Sequence, residues 1–152
     1  MRAVILPLRD ITAPPLSVVV ASAWTTSQQP TSAECDTLGD IGRRLLINFD
    51  YAREQLDPTV FSALDGFAAK LQACPDRKVM IEGHTDSDGH ADRNRNLSLR
   101  RAQAVQKYLV AAGVNPDQLE PVGFGETRPT VPNDTRQNKR DNRRAALVVI
   151  RR

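Results

Sequence analysis

The chain of 152 residues has few aromatics, only two cysteines and no long apolar run. Aromatic residues make up 5% of it, too few for a surface on which nucleic-acid bases stack. No stretch reaches the roughly 18 apolar residues of a membrane-spanning helix. Cys35 and Cys74 stand in no CxxC or Cys/His spacing, so no zinc set is written here. They are either buried thiols or one disulfide, and export would favour the disulfide. Closing a loop of that length contributes roughly 3–4 kcal/mol in the chain-entropy picture. There is no GxSxG, no Cys-His pair and no phosphate loop, which leaves catalysis without a nucleophile. The net charge of +3 fits an anionic partner without requiring one.

What is present suits one α/β domain behind a leader. Hydrophobic residues are 40% of the chain, enough for one compact core. Residues 1–30 hold four of the ten prolines and a polar TTSQQP stretch, and read as a leader or linker. Within them LSVVVASA ends in Ala21-Ser22-Ala23, which is shaped like a signal-peptide cleavage site; the other reading is an extended strand or the stub of another domain. From residue 31 onward the chain reads as a single domain, 31–152. Thr31-Ser32-Ala33-Glu34 has the form of a capping box opening a helix to about Leu46. INFDY, 47–51, reads as a strand. After the break at Asp57-Pro58, Phe61, Leu64, Phe67, Ala68 and Leu71 recur at helical spacing up to about Ala73. KVMIEGH, 78–84, alternates as a strand does. A long helix with Ala102, Val105, Leu109 and Ala112 along one stripe stops at Gly113. Strands at 119–125 and 145–150 bracket a short polar helix at about 136–142. Strands alternating with helices predict an α/β sandwich with at least one parallel pair.

The chemistry concentrates in GHTDSDGHADRNRNLSLRRA, 83–102. Its alternating His84, Asp86, Asp88, His90 and Asp92 suggest a metal loop. A calcium loop of the EF-hand type starting at Asp86 would need a Glu at its twelfth position, where Leu97 stands. The basic RQNKRDNRR near the C-terminus lacks interleaved aromatics and contains Asp141, so it reads as a solvated helix face, not a nucleic-acid surface. A different use of the loop needs one acid and one base. Asp86 would lie just past the carboxyl end of strand 78–84, where ligands bind α/β sheets. Arg101 would sit on the helix packed beside that strand. Together they suit a ligand carrying both an ammonium and a carboxylate, with Asn94 adding an amide contact. The alternative is that Asp86 and Arg101 pair with each other.

GHTDSDG, NRNLSLRRAQAVQKYLVAAGV, GFGETRP and NRRAALVVI, in this order and spacing, closely resemble the OmpA-like peptidoglycan-binding domain, over about residues 45–152. The combination of four blocks is far more specific than any one. The resemblance implies a two-layer α/β sandwich: a mixed four-stranded sheet with βαβ units and helices on one face. It implies a non-enzymatic, cofactor-free module of the periplasm and outer membrane that anchors the envelope to the cell wall. The partner it implies is the diaminopimelate of the peptidoglycan stem peptide. In the family pattern Asp86 takes the ammonium and Arg101 the carboxylate. Asn94, Thr85, Asp50 and either Arg144 or Arg143 are the other positions that match. On this reading Asp86→Ala or Arg101→Ala weakens cell-wall binding and leaves folding intact. Ala145 and Ala146 depart from the pattern, which usually has a larger apolar residue and then an acidic one there. Some family members carry a cysteine pair like Cys35 and Cys74, and a periplasmic location favours its oxidation.

Overall fold

The computed structural model describes residues 31–151; the leader and its cleavage-like segment lie outside the described residues. Four helices and four strands alternate: α1 (Ser32–Arg44), β1 (Leu46–Asn48), α2 (Phe61–Gln72), β2 (Arg77–Gly83), α3 (Ala91–Ala111), β3 (Leu119–Gly123), α4 (Arg136–Asn142) and β4 (Arg144–Arg151). At the start of α1 the capping box forms as expected, with Thr31 N–H donating to Glu34 Oε2 at 3.0 Å.

The sheet order is β1-β4-β2-β3. β4 runs antiparallel to both neighbours, and β2 and β3 are parallel. The last strand is therefore inserted between the two strands that α2 connects, and the mixed α/β sheet expected from the sequence is the one observed. β2 alternates buried Val79 and Ile81 with exposed Lys78 and half-buried Met80. In β4, Ala145 and Leu147 are buried while Val148 and Ile150 remain exposed. One face is thus covered and the other open. α1 packs on β4, α3 packs on β2 and β3, and α2 lies against both helices. The core joins Leu38, Leu64, Phe67, Leu71, Val105 and Leu109 to that covered face.

Two features hold the layers together. Cys35 on α1 and Cys74 just past α2 form a disulfide, with Cα atoms 5.8 Å apart. Gln118 Nε2 donates to the carbonyls of Leu71, Cys74 and Arg77, closing the end of α2 onto the start of β2. Ala145, small where the resembled family has a larger residue, is fully buried and sits in register with Ile47 and Gly83.

β1 is shorter than the sequence suggests. It ends at Asn48, although Phe49 N–H still reaches the Arg143 carbonyl at 2.9 Å. From Asp50 the chain turns away from the sheet because its carbonyls have another partner, the side chain of Arg101.

Candidate functional site

β2 ends at Gly83 directly beneath α3. A Cβ on Gly83 would collide with the backbone carbonyl of Ser98, and one on its register partner Gly123 would lie 2.6 Å from the Leu99 nitrogen. Only glycine lets helix and strand ends approach so closely. Ser98, fully buried, bridges the contact by accepting from Gly125 N–H at 2.8 Å and donating to the Arg95 carbonyl at 2.7 Å. This close approach brings Asn94 and Arg101 of α3 to the residues that follow β2.

Arg101 has 0% of its surface exposed. Its Nε donates to the Arg53 carbonyl at 2.8 Å, Nη1 to His84 at 2.9 Å and Nη2 to Asp50 at 3.0 Å. The guanidinium also lies over the Phe49 ring, 5.2 Å from its centroid. Three of its five N–H groups are thereby used, leaving one on each Nη. Burial is the main influence on its pKa and pushes it down to about 10, with nearby Asp86 opposing, so it stays charged at neutral pH.

Asp86, 4% exposed, does not pair with Arg101. Its Oδ2 accepts from Arg143 Nη1 at 2.9 Å and its Oδ1 from the Asp88 backbone N–H at 3.1 Å. Arg143 also donates from Nε to the Phe49 carbonyl at 3.2 Å. Asn94 Nδ2 donates to Glu126 Oε2 at 2.7 Å and, more weakly, to the Asp86 carbonyl at 3.4 Å. Thr85 Oγ1 is buried and, among the described residues, has no hydrogen-bond partner. Thr85, Asp86, Asn94, Arg101 and Arg143 line one narrow cavity of about 40 Å³ roofed by Tyr51 and Ala52. Ala52 has φ +54°, a left-handed conformation uncommon for a residue with a side chain.

Five of the seven residues singled out from the sequence therefore meet at one cavity. Asp50 contributes its carbonyl to Arg101 and lines a neighbouring groove, not the cavity itself. Arg144 is turned away: its guanidinium reaches the carbonyls of Arg128 at 3.2 Å and Asn142 at 3.4 Å. Of the two adjacent arginines, the one at the cavity is Arg143. Arg143 ends α4 and Arg144 opens β4, and their side chains reach different partners, Asp86 and the Arg128 carbonyl.

Arg144 joins a second group on the far side of β2. His84 is 1% exposed and stacks on Phe124 at 5.6 Å, with Arg128 over the other ring's face at 3.8 Å. Burial first, and then the charges of Arg144 and Arg128, pull the His84 pKa down to about 4. The imidazole is neutral at pH 7, and among the described residues its Nδ1 and Nε2 have no hydrogen-bond partner, with Glu82 Oε2 3.6 Å from Nε2. As for a metal loop, no group of three His, Cys, Asp or Glu side chains converges among the described residues. Asp88, one of the acids in that pattern, pairs with Lys139 of α4 at 2.7 Å instead.

Sequence reasoning missed three organising residues. Asn142, fully buried, accepts from the N–H groups of Thr130 and Val131 and donates to Val131 O and Asn133 Oδ1, pinning the 130–133 loop beside α4. Ser98 and Lys139 are the other two. Each acts on a segment distant in sequence, so no local pattern marks it.

Comparison with known proteins follows the same outline. The OmpA family profile matches residues 48–143. The peptidoglycan-associated lipoprotein of Pseudomonas putida is 44% identical over 99 residues, 65% of this chain and 59% of its own length. The chain thus spans about three fifths of that relative. The peptidoglycan-associated lipoprotein of Pasteurella multocida is 38% identical over 137 residues, 87% of this chain and 91% of that one. Among solved structures, the peptidoglycan-associated lipoprotein of Burkholderia pseudomallei superposes with a TM-score of 0.68 at 30% identity, covering 69% of this chain and 89% of that one.

Proposed function

The chain belongs to the OmpA family, and from that premise we propose that it binds peptidoglycan non-covalently through the diaminopimelate of the stem peptide. The observation that carries this reading is a carboxylate and a guanidinium, both buried, lining one cavity at the end of β2. Water-poor surroundings strengthen a charge-assisted contact to either group. The ligand ammonium binds Asp86, displacing or sharing the Oδ2 contact of Arg143. The ligand carboxylate takes the two Nη hydrogens of Arg101 that no backbone carbonyl uses. Thr85 Oγ1, otherwise without a partner, gains one from the ligand, and Asn94 fixes the Asp86 backbone. Arg143 is the counter-ion of Asp86, and the ligand ammonium competes with it for that carboxylate.

The protein acts as an anchor, not an enzyme, and works in the periplasm in association with the outer membrane. Support comes from the relatives, which carry the names peptidoglycan-associated lipoprotein, peptidoglycan-binding protein ArfA and outer membrane porin F. The test is calorimetric titration with meso-diaminopimelate of the wild type and of Asp86→Asn. The amide keeps an acceptor for Asp88 N–H and removes the charge. Loss of an ionic contact worth about 1.5–3 kcal/mol weakens binding by roughly 10- to 150-fold. Equal affinity in both proteins would place the ligand elsewhere.

A further inference from the structure

We propose that Arg53 and Arg140 form a second subsite, outside the Asp86 cavity, that binds a carboxylate on the peptide chain next to the diamino acid. This rests on the peptidoglycan-binding reading and extends it to a part of the ligand that reading does not address. The Asp86 cavity is the starting point. At about 40 Å³ it has room for the charged end groups of a ligand and none for the chain attached to them. That chain must leave through an opening. Two of the cavity's own lining residues, Tyr51 and Arg143, also line an adjoining depression of about 510 Å³, together with Asp50, Arg53 and Arg140. The last three continue into a groove of about 450 Å³ that runs along the segment between β1 and α2. Three of the five residues that line this exit are arginines, beside Asp50 and Tyr51.

The state of those cations matters more than their number. Neighbouring basic residues are already matched: Arg143 with Asp86, Lys139 with Asp88, Arg100 with Glu54. Among the described residues, Arg53 and Arg140 have no ion pair and no side-chain hydrogen bond. Both are exposed, one on the loop after β1 and the other on α4, and both line the two depressions. The backbone at Arg53 is held in place, because its carbonyl accepts from Arg101 Nε. The Arg53 side chain thus starts from a backbone fixed by the same guanidinium that is proposed to hold the ligand carboxylate. A guanidinium presents paired N–H groups at the spacing of a carboxylate's two oxygens, so two unmatched arginines in a concave exit favour a planar anion. Asp50 lines the same groove, so its charge offsets part of the attraction and any anion held there must be held by the arginines. Tyr51, 64% exposed, offers an amphipathic wall at the mouth between the two sites.

The experiment titrates the whole protein with three probes: free meso-diaminopimelate, a stem tripeptide with the carboxylate flanking that residue free, and the same tripeptide with it amidated. The wild type is expected to bind the free-acid tripeptide about tenfold more tightly than the amidated one, with the difference shrinking as salt is raised. In the Arg53→Gln/Arg140→Gln double variant the two tripeptides should bind alike, and free meso-diaminopimelate should bind as it does to the wild type. A double variant that still prefers the free acid by the wild-type factor overturns the subsite. A double variant weakened equally toward all three probes also overturns it, since the arginines would then act on the Asp86 cavity itself. If the wild type takes up none of the probes, the peptidoglycan reading falls and the subsite with it. That result is distinct from a wild type that binds all three without discrimination, which removes the subsite alone.

Discussion

Arg101 is a structural group that ties three carbonyls, from Asp50, Arg53 and His84, to α3; the binding role proposed for it would need a free edge as well. The sequence reading expects Arg101→Ala to spare the fold. The structure corrects that, because truncation leaves three carbonyls without their donor. Each such loss costs about 1–3 kcal/mol where water cannot replace it, so Arg101→Ala is expected to lower unfolding stability by on the order of 3 kcal/mol in urea titration. Asp86→Asn abandons no backbone group but gives up the buried ion pair with Arg143, so it should lose binding together with some unfolding stability. Asp86 and Arg101 were legible from one stretch of sequence because a motif names them. Their partners were not, since Arg143 lies 57 residues from Asp86 along the chain and Asp50 lies 51 from Arg101.

At the level of elements, the helix-strand contact at Gly83 sets the position of α3. Gly83→Ala forces a Cβ into the Ser98 backbone, which a rigid strand and helix cannot relieve by rotating a side chain. A loss of about 2–3 kcal/mol or more is expected. Gly39→Ala serves as the control: nothing lies within 4 Å of its Cβ position in α1, so the gain in helix propensity should make it neutral to slightly stabilising. The disulfide between α1 and α2 acts at the same scale. Reducing it frees a loop of 39 residues and is expected to lower stability by about 4 kcal/mol, seen as a drop in the urea midpoint on adding dithiothreitol. Helix and strand order were readable throughout, since apolar periodicity is local. Element ends were not: β1 stops at Asn48 where INFDY suggested Tyr51, because a distant arginine competes for the carbonyls after it.

For the molecule as a whole, pH reports on His84. Its pKa falls from 6.5 unfolded to about 4 folded, so between these values the unfolded chain binds more protons. Stability attributable to His84 is complete above pH 6.5, declines as pH falls toward 4, and changes no further below that. The slope approaches 1.4 kcal/mol per pH unit and the total is about 3 kcal/mol. His84→Tyr keeps an aromatic ring against Phe124 and removes the titration. Its urea midpoint should vary less than that of the wild type between pH 6.5 and 4.

The sequence by itself determined the α/β alternation and the family, and it picked out Asp86 and Arg101 as the candidate acid and base, because periodicity and motif spacing are properties of contiguous residues. Only the tertiary structure decided that Arg143 rather than Arg144 meets Asp86. It alone closed the cysteine pair, which the sequence left as thiols or a disulfide. It also decided that the loop after β1 closes over Arg101 and that, among the described residues, Arg53 and Arg140 remain unmatched beside the cavity. Those outcomes depend on which distant backbone groups the insertion of β4 between β1 and β2 brings within hydrogen-bond reach.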